Sequence, residues 1–290
     1  MNPQDFTYYD LRARRGSHDI NTLFPKWQGA SERLLVLSPH DDDALLGAAY
    51  AMLAAQANGA VVHVAVCCDG SAGYSRVEDR DSIVEVRRAE STRAYGRLGL
   101  HKDEHLHYLG YPDFTLVSYI GWKLAAGREG TLRPFIVLLR ELGITRLMIP
   151  NGYREHSDHT AAFDIGRYDG VQAGDPVGAD WGQRTAIASV LQYSVWGDLS
   201  PEDALLNSSN PNIRANRAIL APKEAEELVG AGLFEWQSQM AIISNLLAAR
   251  RERNATGGML EVYLAYEPRP KLDYQPYVNL VNGIRVKGVE

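Results

Sequence analysis

The stretch RLLVLSPHDDDALLGAAYAMLAAQ, residues 33–56, decides the fold of this chain. Residues 33–38 form a largely apolar run that ends at Pro39, as is typical of a strand buried on both faces of a parallel sheet. Residues 43–56 then have the composition of a buried helix, and the acidic residue at its start suits the positive end of the helix dipole. We therefore predict a buried strand and a helix joined by a short polar turn.

The same alternation of strand and helix continues along the chain. Further strand-like runs occupy residues 60–68, 105–109, 146–150, 186–196 and 259–266. Helical patterns occupy residues 84–98, 132–142, 158–167 and 223–253, and we expect a break in the last of these near residues 230–232. This order predicts an α/β fold with a Rossmann-like, mostly parallel sheet and helices on both faces. Because such sheets bind ligands beyond the carboxyl ends of their strands, we expect the functional site at that edge.

The chain is predicted to form a single α/β domain over residues 1–290. Residues 1–30 are polar and irregular, and we expect them to form an N-terminal surface arm. Residues 31–200 would form the core, and residues 201–290 a C-terminal helical region with a late strand.

Composition excludes several classes of protein. The 290 residues are 45% hydrophobic, enough for a large core, and the net charge of −6 argues against a general nucleic-acid binder. The first residues lack the apolar segment of a secretion signal, and the longest apolar stretch, residues 44–57, is too short to cross a bilayer. We expect a cytoplasmic protein without a nucleic-acid or membrane partner. Cys67 and Cys68 are adjacent on a predicted strand and point to opposite faces, so we expect two reduced thiols.

The first polar motif, SPHDDD at residues 38–43, follows the first strand directly. His40 and Asp43 are three residues apart at a strand-to-helix turn, so both side chains can reach one ion, and imidazole and carboxylate are suitable zinc ligands. Asp42 lies between them and can serve as a general base toward water. An alternative is that these aspartates only cap the helix.

The second motif, HSDH at residues 156–159, also follows a predicted strand. His159 can supply a third metal ligand, and His156 would then lie near the water as a proton donor or oxyanion stabiliser. Asp158 can hydrogen-bond a histidine nitrogen and fix its tautomer. A polar loop that opens a helix is the alternative for this motif alone, but a single site explains both motifs together.

With these motifs the sequence resembles the LmbE-like, or PIG-L, metal-dependent de-N-acetylases. Their first motif usually reads (A/S)-H-P-D-D-E and their second H-x-D-H. Supporting matches lie in three other segments: Arg87, Glu90, Leu98 and Gly99 on one helix, Leu-Gly-Tyr-Pro-Asp at residues 109–113, and Trp236 to Gln239. The resemblance covers roughly residues 30–270.

The resemblance implies a zinc-dependent hydrolase that removes acetyl from the 2-amino group of an N-acetylglucosamine unit. It implies one Zn²⁺ per chain, although another divalent ion would suit the same ligands. Carried over by position, the metal ligands are His40, Asp43 and His159. Asp42 would be the base that activates water, and His156 would stabilise the oxyanion or protonate the leaving amine. Arg87 and Asp113 match positions expected near the substrate.

Two residues depart from the family pattern. Asp41 stands in place of the usual proline and adds a negative charge beside the site. Ala44 stands in place of the usual acidic residue and removes one supporting partner of the metal ligands. Neither departure changes a ligand, so we expect the site to work.

Two other functions stay open. One is a metallohydrolase of another amide or an ester on the same scaffold. The other is a non-catalytic, sugar-binding α/β module whose motifs are remnants. The group attached to the sugar and the oligomeric state also remain open.

Overall fold

The computed structural model describes residues 1–201, 210 and 212–284. Within these residues the strands form one ten-stranded sheet. The strands are β1 (Thr7–Asp10), β2 (Arg15–Ser17), β3 (Arg33–Ser38), β4 (Val61–Cys68), β5 (Leu106–Tyr111), β6 (Arg146–Pro150), β7 (Ser189–Tyr193), β8 (Arg217–Ala221), β9 (Asn254–Ala255) and β10 (Gly258–Tyr266). Their order is β2-β1-β8-β10-β7-β6-β3-β4-β5, and β9 pairs with β10.

The α-helices lie between and after these strands. They are α1 (Asp43–Gly47), α2 (Ala49–Ala57), α3 (Ile83–Gly96), α4 (Lys102–His105), α5 (Leu132–Glu141), α6 (Ser157–Asp164), α7 (Lys223–Leu233), α8 (Met240–Arg250) and α9 (Gln275–Asn282). Among the described helices, none combines the length and the apolar composition that crossing a bilayer requires.

The predicted α/β fold with a parallel sheet at its centre is confirmed. Strands β5, β4, β3, β6 and β7 all run parallel. The chain runs from β3 outward through β4 to β5 and then returns to the other side of β3 with β6. The strand order therefore reverses between β3 and β6, and this is where ligands bind in open α/β sheets. The two polar motifs follow these two strands.

Helices cover both faces of the parallel strands, as predicted. Leu34 and Val36 of β3 belong to the core cluster that contains α1, α2 and α7, while Leu35 and Leu37 belong to the cluster that contains α5 and α6. This division follows from the two-residue period of a strand.

The prediction that residues 1–30 form an irregular surface arm is wrong. They contribute β1 and β2, and Tyr8 and Phe24 are fully buried. Besides β2, β1 pairs with β8, which lies far along the chain and was not predicted as a strand. A four-residue strand paired with so distant a segment shows almost no local pattern, because packing rather than propensity stabilises it.

Two predicted helices are interrupted. The segment 43–56 divides into α1 and α2 at Ala48, and the segment 223–253 divides into α7 and α8. The residues between α7 and α8 include Trp236, whose side chain is fully buried and reaches the first motif. Cys67 and Cys68 are buried free thiols, as predicted.

Candidate metal centre and active site

The turn after β3 folds the first motif back on itself. The Ser38 hydroxyl accepts the backbone N–H of Ala44 at 3.0 Å and donates to the carbonyl oxygen of His40 at 2.5 Å. The backbone N–H of His40 in turn donates to Oδ2 of Asp43 at 2.8 Å. These bonds bring the side chains of His40 and Asp43 to the same end of the strand.

His40, Asp43 and His159, the three predicted metal ligands, lie together. Oδ2 of Asp43 is 3.1 Å from Nδ1 of His40 and 3.1 Å from Nε2 of His159. The three atoms all lie within 4.8 Å of one another. Two ligands of a tetrahedral zinc ion at about 2.0–2.1 Å are about 3.3 Å apart, so these separations suit a common ion.

Glu155 holds the ring of His159 and was not identified from the sequence. Its Oε2 accepts the Nδ1–H of His159 at 2.7 Å. This bond leaves Nε2 of the neutral ring as a lone pair that faces the Asp43 carboxylate. His159 is fully buried, and Nε2 has no hydrogen-bond partner among the residues that the structure describes. Two acceptor atoms face each other here, which requires a proton or a cation between them, so the residues fit a metal ion.

The pKa values of the three predicted ligands also indicate that a positive charge is favoured at this site. Burial opposes protonation of His40, but hydrogen bonds with Asp158 and Asp43 outweigh it and raise its pKa to about 10. Burial also opposes protonation of His159, but the Asp43 charge and hydrogen bond raise its pKa to about 9. Although burial acts to raise the pKa of Asp43, the two histidines hold it well below its usual range.

Asp42 lies beside this group of ligands. It occupies the N-cap position of α1, yet its side chain makes no capping hydrogen bond to the described backbone. Helix capping therefore does not account for Asp42. Burial of its carboxyl raises the pKa to about 7, although Arg87 acts in the opposite direction. A carboxyl group with a pKa near neutrality can both accept and release a proton at physiological pH.

His156, the N-cap residue of α6, borders the same cavity. Its Nδ1 accepts the backbone N–H of Asp158 at 3.2 Å, so the proton of the neutral ring is on Nε2. Burial and the neighbouring His40 lower the pKa of His156. A neutral ring with a proton on Nε2 can donate a hydrogen bond.

Asp158 supports both the first motif and a loop. Its carboxylate accepts the backbone N–H of Phe114 at 2.7 Å and of Leu116 at 3.2 Å, and Oδ2 is 3.4 Å from Nε2 of His40. Other groupings of potential ligands also exist among the described residues: His40 with His156 and Asp158, and His40 with Cys68 and Asp113. The grouping with Asp43 and His159 fits an ion best, because only this grouping includes the buried Nε2 of His159, which has no hydrogen-bond partner among the described residues and faces Oδ2 of Asp43.

Arg87 and Asp113, predicted near the substrate, border the cavity but are engaged by the protein. Arg87 is 5% exposed and forms a close ion pair with Asp41. Asp113 accepts the backbone N–H groups of Gly70 and Ala72 at 3.0 Å each. Asp113 therefore holds the loop that follows β4.

The cavity at this edge of the sheet has a volume of about 210 Å³. Its lining combines the polar groups described above with apolar side chains, those of Leu46, Phe114, Trp196, Ile242 and Leu246. A larger cavity of about 730 Å³ lies beside β1 and β2 and contains no residue of either motif.

Fold and site together define an α/β protein with a candidate His–Asp–His metal centre where the strand order reverses. The sequence model of the PIG-L family, described as GlcNAc-PI de-N-acetylase, matches residues 35–168. This range holds both motifs, so the resemblance to the PIG-L family read from the motifs is confirmed. A comparison with curated protein sequences finds no match.

Solved structures share the fold at low sequence identity. N,N'-diacetylchitobiose deacetylase from Pyrococcus horikoshii is 13% identical with a TM-score of 0.56, covering 82% of this chain and 84% of that protein. The A40926 pseudoaglycone deacetylase Dbv21 is 20% identical with a TM-score of 0.57, covering 82% and 99%. GalB, the 4-carboxy-2-hydroxymuconate hydratase from Pseudomonas putida, is 15% identical with a TM-score of 0.61, covering 83% and 99%.

Proposed function

We propose that this protein is a metal-dependent N-deacetylase acting on a small molecule or glycoconjugate that contains N-acetylglucosamine. The observation that carries this proposal is the convergence of His40, Asp43 and His159, with Asp42 beside them. The PIG-L match over both motifs supports the amino-sugar substrate. The predicted cytoplasmic location and the single-domain organisation stay predictions from the sequence.

His40, Asp43 and His159 would hold one divalent ion, for which we propose Zn²⁺. Two imidazole nitrogens and one carboxylate oxygen form a donor set that zinc accepts while keeping a position open. When bound, such an ion supplies Lewis-acid activation of water and of the amide carbonyl.

Asp42 would act as the general base. Its carboxylate borders the cavity and can take a proton from the attacking water. The same group can return that proton to the amine as the C–N bond breaks. His156 would donate its Nε2–H to the oxygen that becomes negative during attack.

A second candidate function is a different reaction on the same scaffold. The fold is shared with a hydratase, and one fold can host different chemistries. A metallohydrolase of another amide or an ester would use the same ligands and the same base. The two candidate functions are therefore distinguished by identifying the product that the enzyme releases.

The test is acetate release from a panel of N-acetylglucosamine conjugates by the zinc-loaded protein. We expect release that is lost in Asp42→Ala and retained in Asp103→Ala, which removes an exposed aspartate of α4. Bound zinc without acetate release from any conjugate would favour another amide or ester. Absence of both metal and release would favour a sugar-binding module.

A further inference from the structure

Asp41, which departs from the family pattern, is buried and bonded on both oxygens. It is 5% exposed. Oδ1 forms the close ion pair with Nη2 of Arg87, and Oδ2 accepts the indole N–H of Trp236 at 2.8 Å. The extra negative charge is therefore neutralised by a partner on α3 and held by a partner on the segment between α7 and α8.

Arg87 reaches a second carboxylate with the same nitrogen. Its Nη2 lies 3.6 Å from Oδ1 of Asp42. The short contact goes to Asp41 and the longer one to the proposed base. Asp41 thus takes up the strong ion pair and leaves Asp42 with a weaker contact.

The surroundings of Arg87 keep its guanidinium close to these two carboxylates. A Cβ atom on Gly73 would lie 2.4 Å from Nη1 of Arg87, and one on Gly70 would lie 2.9 Å from its Cδ. The loop with these glycines is held by Asp113 and by Gln239, whose Nε2 donates to the carbonyl oxygen of Gly73 at 2.6 Å. The guanidinium therefore lies in a close-fitting recess between this loop and Asp41.

We propose that Asp41 is a positioning residue that keeps Arg87 from pairing directly with Asp42, so that the Asp42 carboxylate stays free to face the substrate. Arg87 then serves the base rather than the substrate. This inference rests on the proposed function only for the role of Asp42 in catalysis.

Neutralising Asp41 changes this arrangement in a defined direction. In Asp41→Asn the amide oxygen can still accept the Trp236 indole N–H, but the ion pair with Arg87 is lost. Nη2 of Arg87 already lies 3.6 Å from the Asp42 carboxylate, which is then its nearest remaining negative charge of the two. Because a buried guanidinium needs a counter-charge, we expect it to close on Asp42 and form a direct ion pair.

A matched control is available in the same network. Glu90, one turn after Arg87 on α3, accepts the backbone N–H of Ser238 at 2.9 Å and its hydroxyl at 2.6 Å. Glu90→Gln removes a buried charge that docks the segment between α7 and α8, but this carboxylate makes its side-chain bonds to Ser238 rather than to Arg87. The Glu90→Gln variant therefore shows how activity responds when the contact between α3 and the segment between α7 and α8 is weakened and the Asp41–Arg87 ion pair is kept.

The first measurement is the crystal structure of zinc-loaded Asp41→Asn. We expect the Nη2–Asp42 distance to shorten to about 2.8 Å, the length of a charge-assisted bond. An Arg87 that keeps its place overturns the proposal, whether or not any conjugate is hydrolysed. If Asp41→Asn does not fold, Asp41→Pro removes the same charge by restoring the residue that is usual in the family motif, and an unchanged Arg87–Asp42 distance there also overturns the proposal.

The second measurement is the kinetics of acetate release, once a substrate is found. We expect Asp41→Asn to lower kcat about tenfold or more with KM changed less than about twofold, while Glu90→Gln leaves kcat within about twofold. Equal loss of kcat in both variants would show a general structural role and overturn the proposal. Failure of the wild-type protein to release acetate would count against the proposed function alone, since the crystallographic measurement does not depend on turnover.

Discussion

Glu155 and His159 form a buried pair in which Oε2 of the carboxylate lies 2.7 Å from Nδ1 of the ring. The other oxygen of Glu155 accepts the backbone N–H groups of Val195, Trp196 and Gly197 at 2.8–3.1 Å. The pair therefore connects the second motif to the turn that follows β7, and Nε2 of His159 is directed by a carboxylate that is itself fixed.

Loss of this carboxylate should weaken metal binding. We expect Glu155→Gln to lower zinc affinity about 10–100-fold, as is usual when the partner of a ligating histidine is changed. The measurement is competitive zinc titration against a chromophoric chelator, with Glu227→Gln, an exposed glutamate of α7, as the control. Unchanged affinity in Glu155→Gln would mean that His159 does not bind the metal.

Removal of the metal should destabilise the protein. The facing acceptors on Asp43 and His159 would lose the ion between them, and binding to the folded state alone stabilises by about 2.7 kcal/mol at a hundredfold excess over Kd. We expect a chelator to lower the melting temperature and zinc to restore it, measured by calorimetry. His159→Ala serves as the control, because its melting temperature should not respond to zinc.

His156 should affect turnover without affecting metal content. We expect His156→Gln to lower kcat about 10²–10³-fold with little change in KM, because in the proposed mechanism its hydrogen bond would form to charge that develops during the reaction. Zinc content, measured by mass spectrometry, should stay at the wild-type value. Loss of zinc from this variant would instead favour the grouping of His40, His156 and Asp158.

The raised pKa of Asp42 should make its effect on stability depend on pH. Its folded-state pKa of about 7 exceeds the ordinary value of 3.8, so the folded state holds a proton that the unfolded chain releases. Stability is therefore lost as the pH rises from about 4 to about 7, by a few kcal/mol over that interval.

We expect Asp42→Asn to stabilise the metal-free protein more at pH 8 than at pH 4.5. The measurement is the free energy of unfolding in urea at both pH values. Asp103→Asn, at an exposed position, should show no such difference between the two pH values. An equal effect of Asp42→Asn at both pH values would show that its pKa is not raised.

The parts of the fold that could be predicted are those with a local signal. The apolar run of β3 and the polar turn after it are continuous in sequence, and the placement of His40 and Asp43 at the end of that strand follows from them. His159 could be related to them because parallel strands end at one edge of a sheet. The roles of these residues stay predictions until metal and activity are measured.

The parts that could not be predicted depend on contacts between distant segments. Glu155 precedes the second motif directly, and its acidic side chain was the only available signal, but its bonds go to residues 194–197. Trp236 matched a family segment, yet its bond to Asp41 joins positions far apart in the chain. The periodicity of a sequence does not indicate hydrogen-bond partners that lie far apart along the chain.

The pairing of β1 with β8 has a consequence for how the chain is made. Tyr8 is paired with Ile219 across this pair, so β1 is synthesised long before the β8 strand with which it pairs. Until then β1 has no strand that joins it to the main sheet, although the parallel strands with both motifs can already associate. We therefore expect assembly of the sheet to end at the antiparallel side, with β1 as a segment that chaperones would meet unpaired.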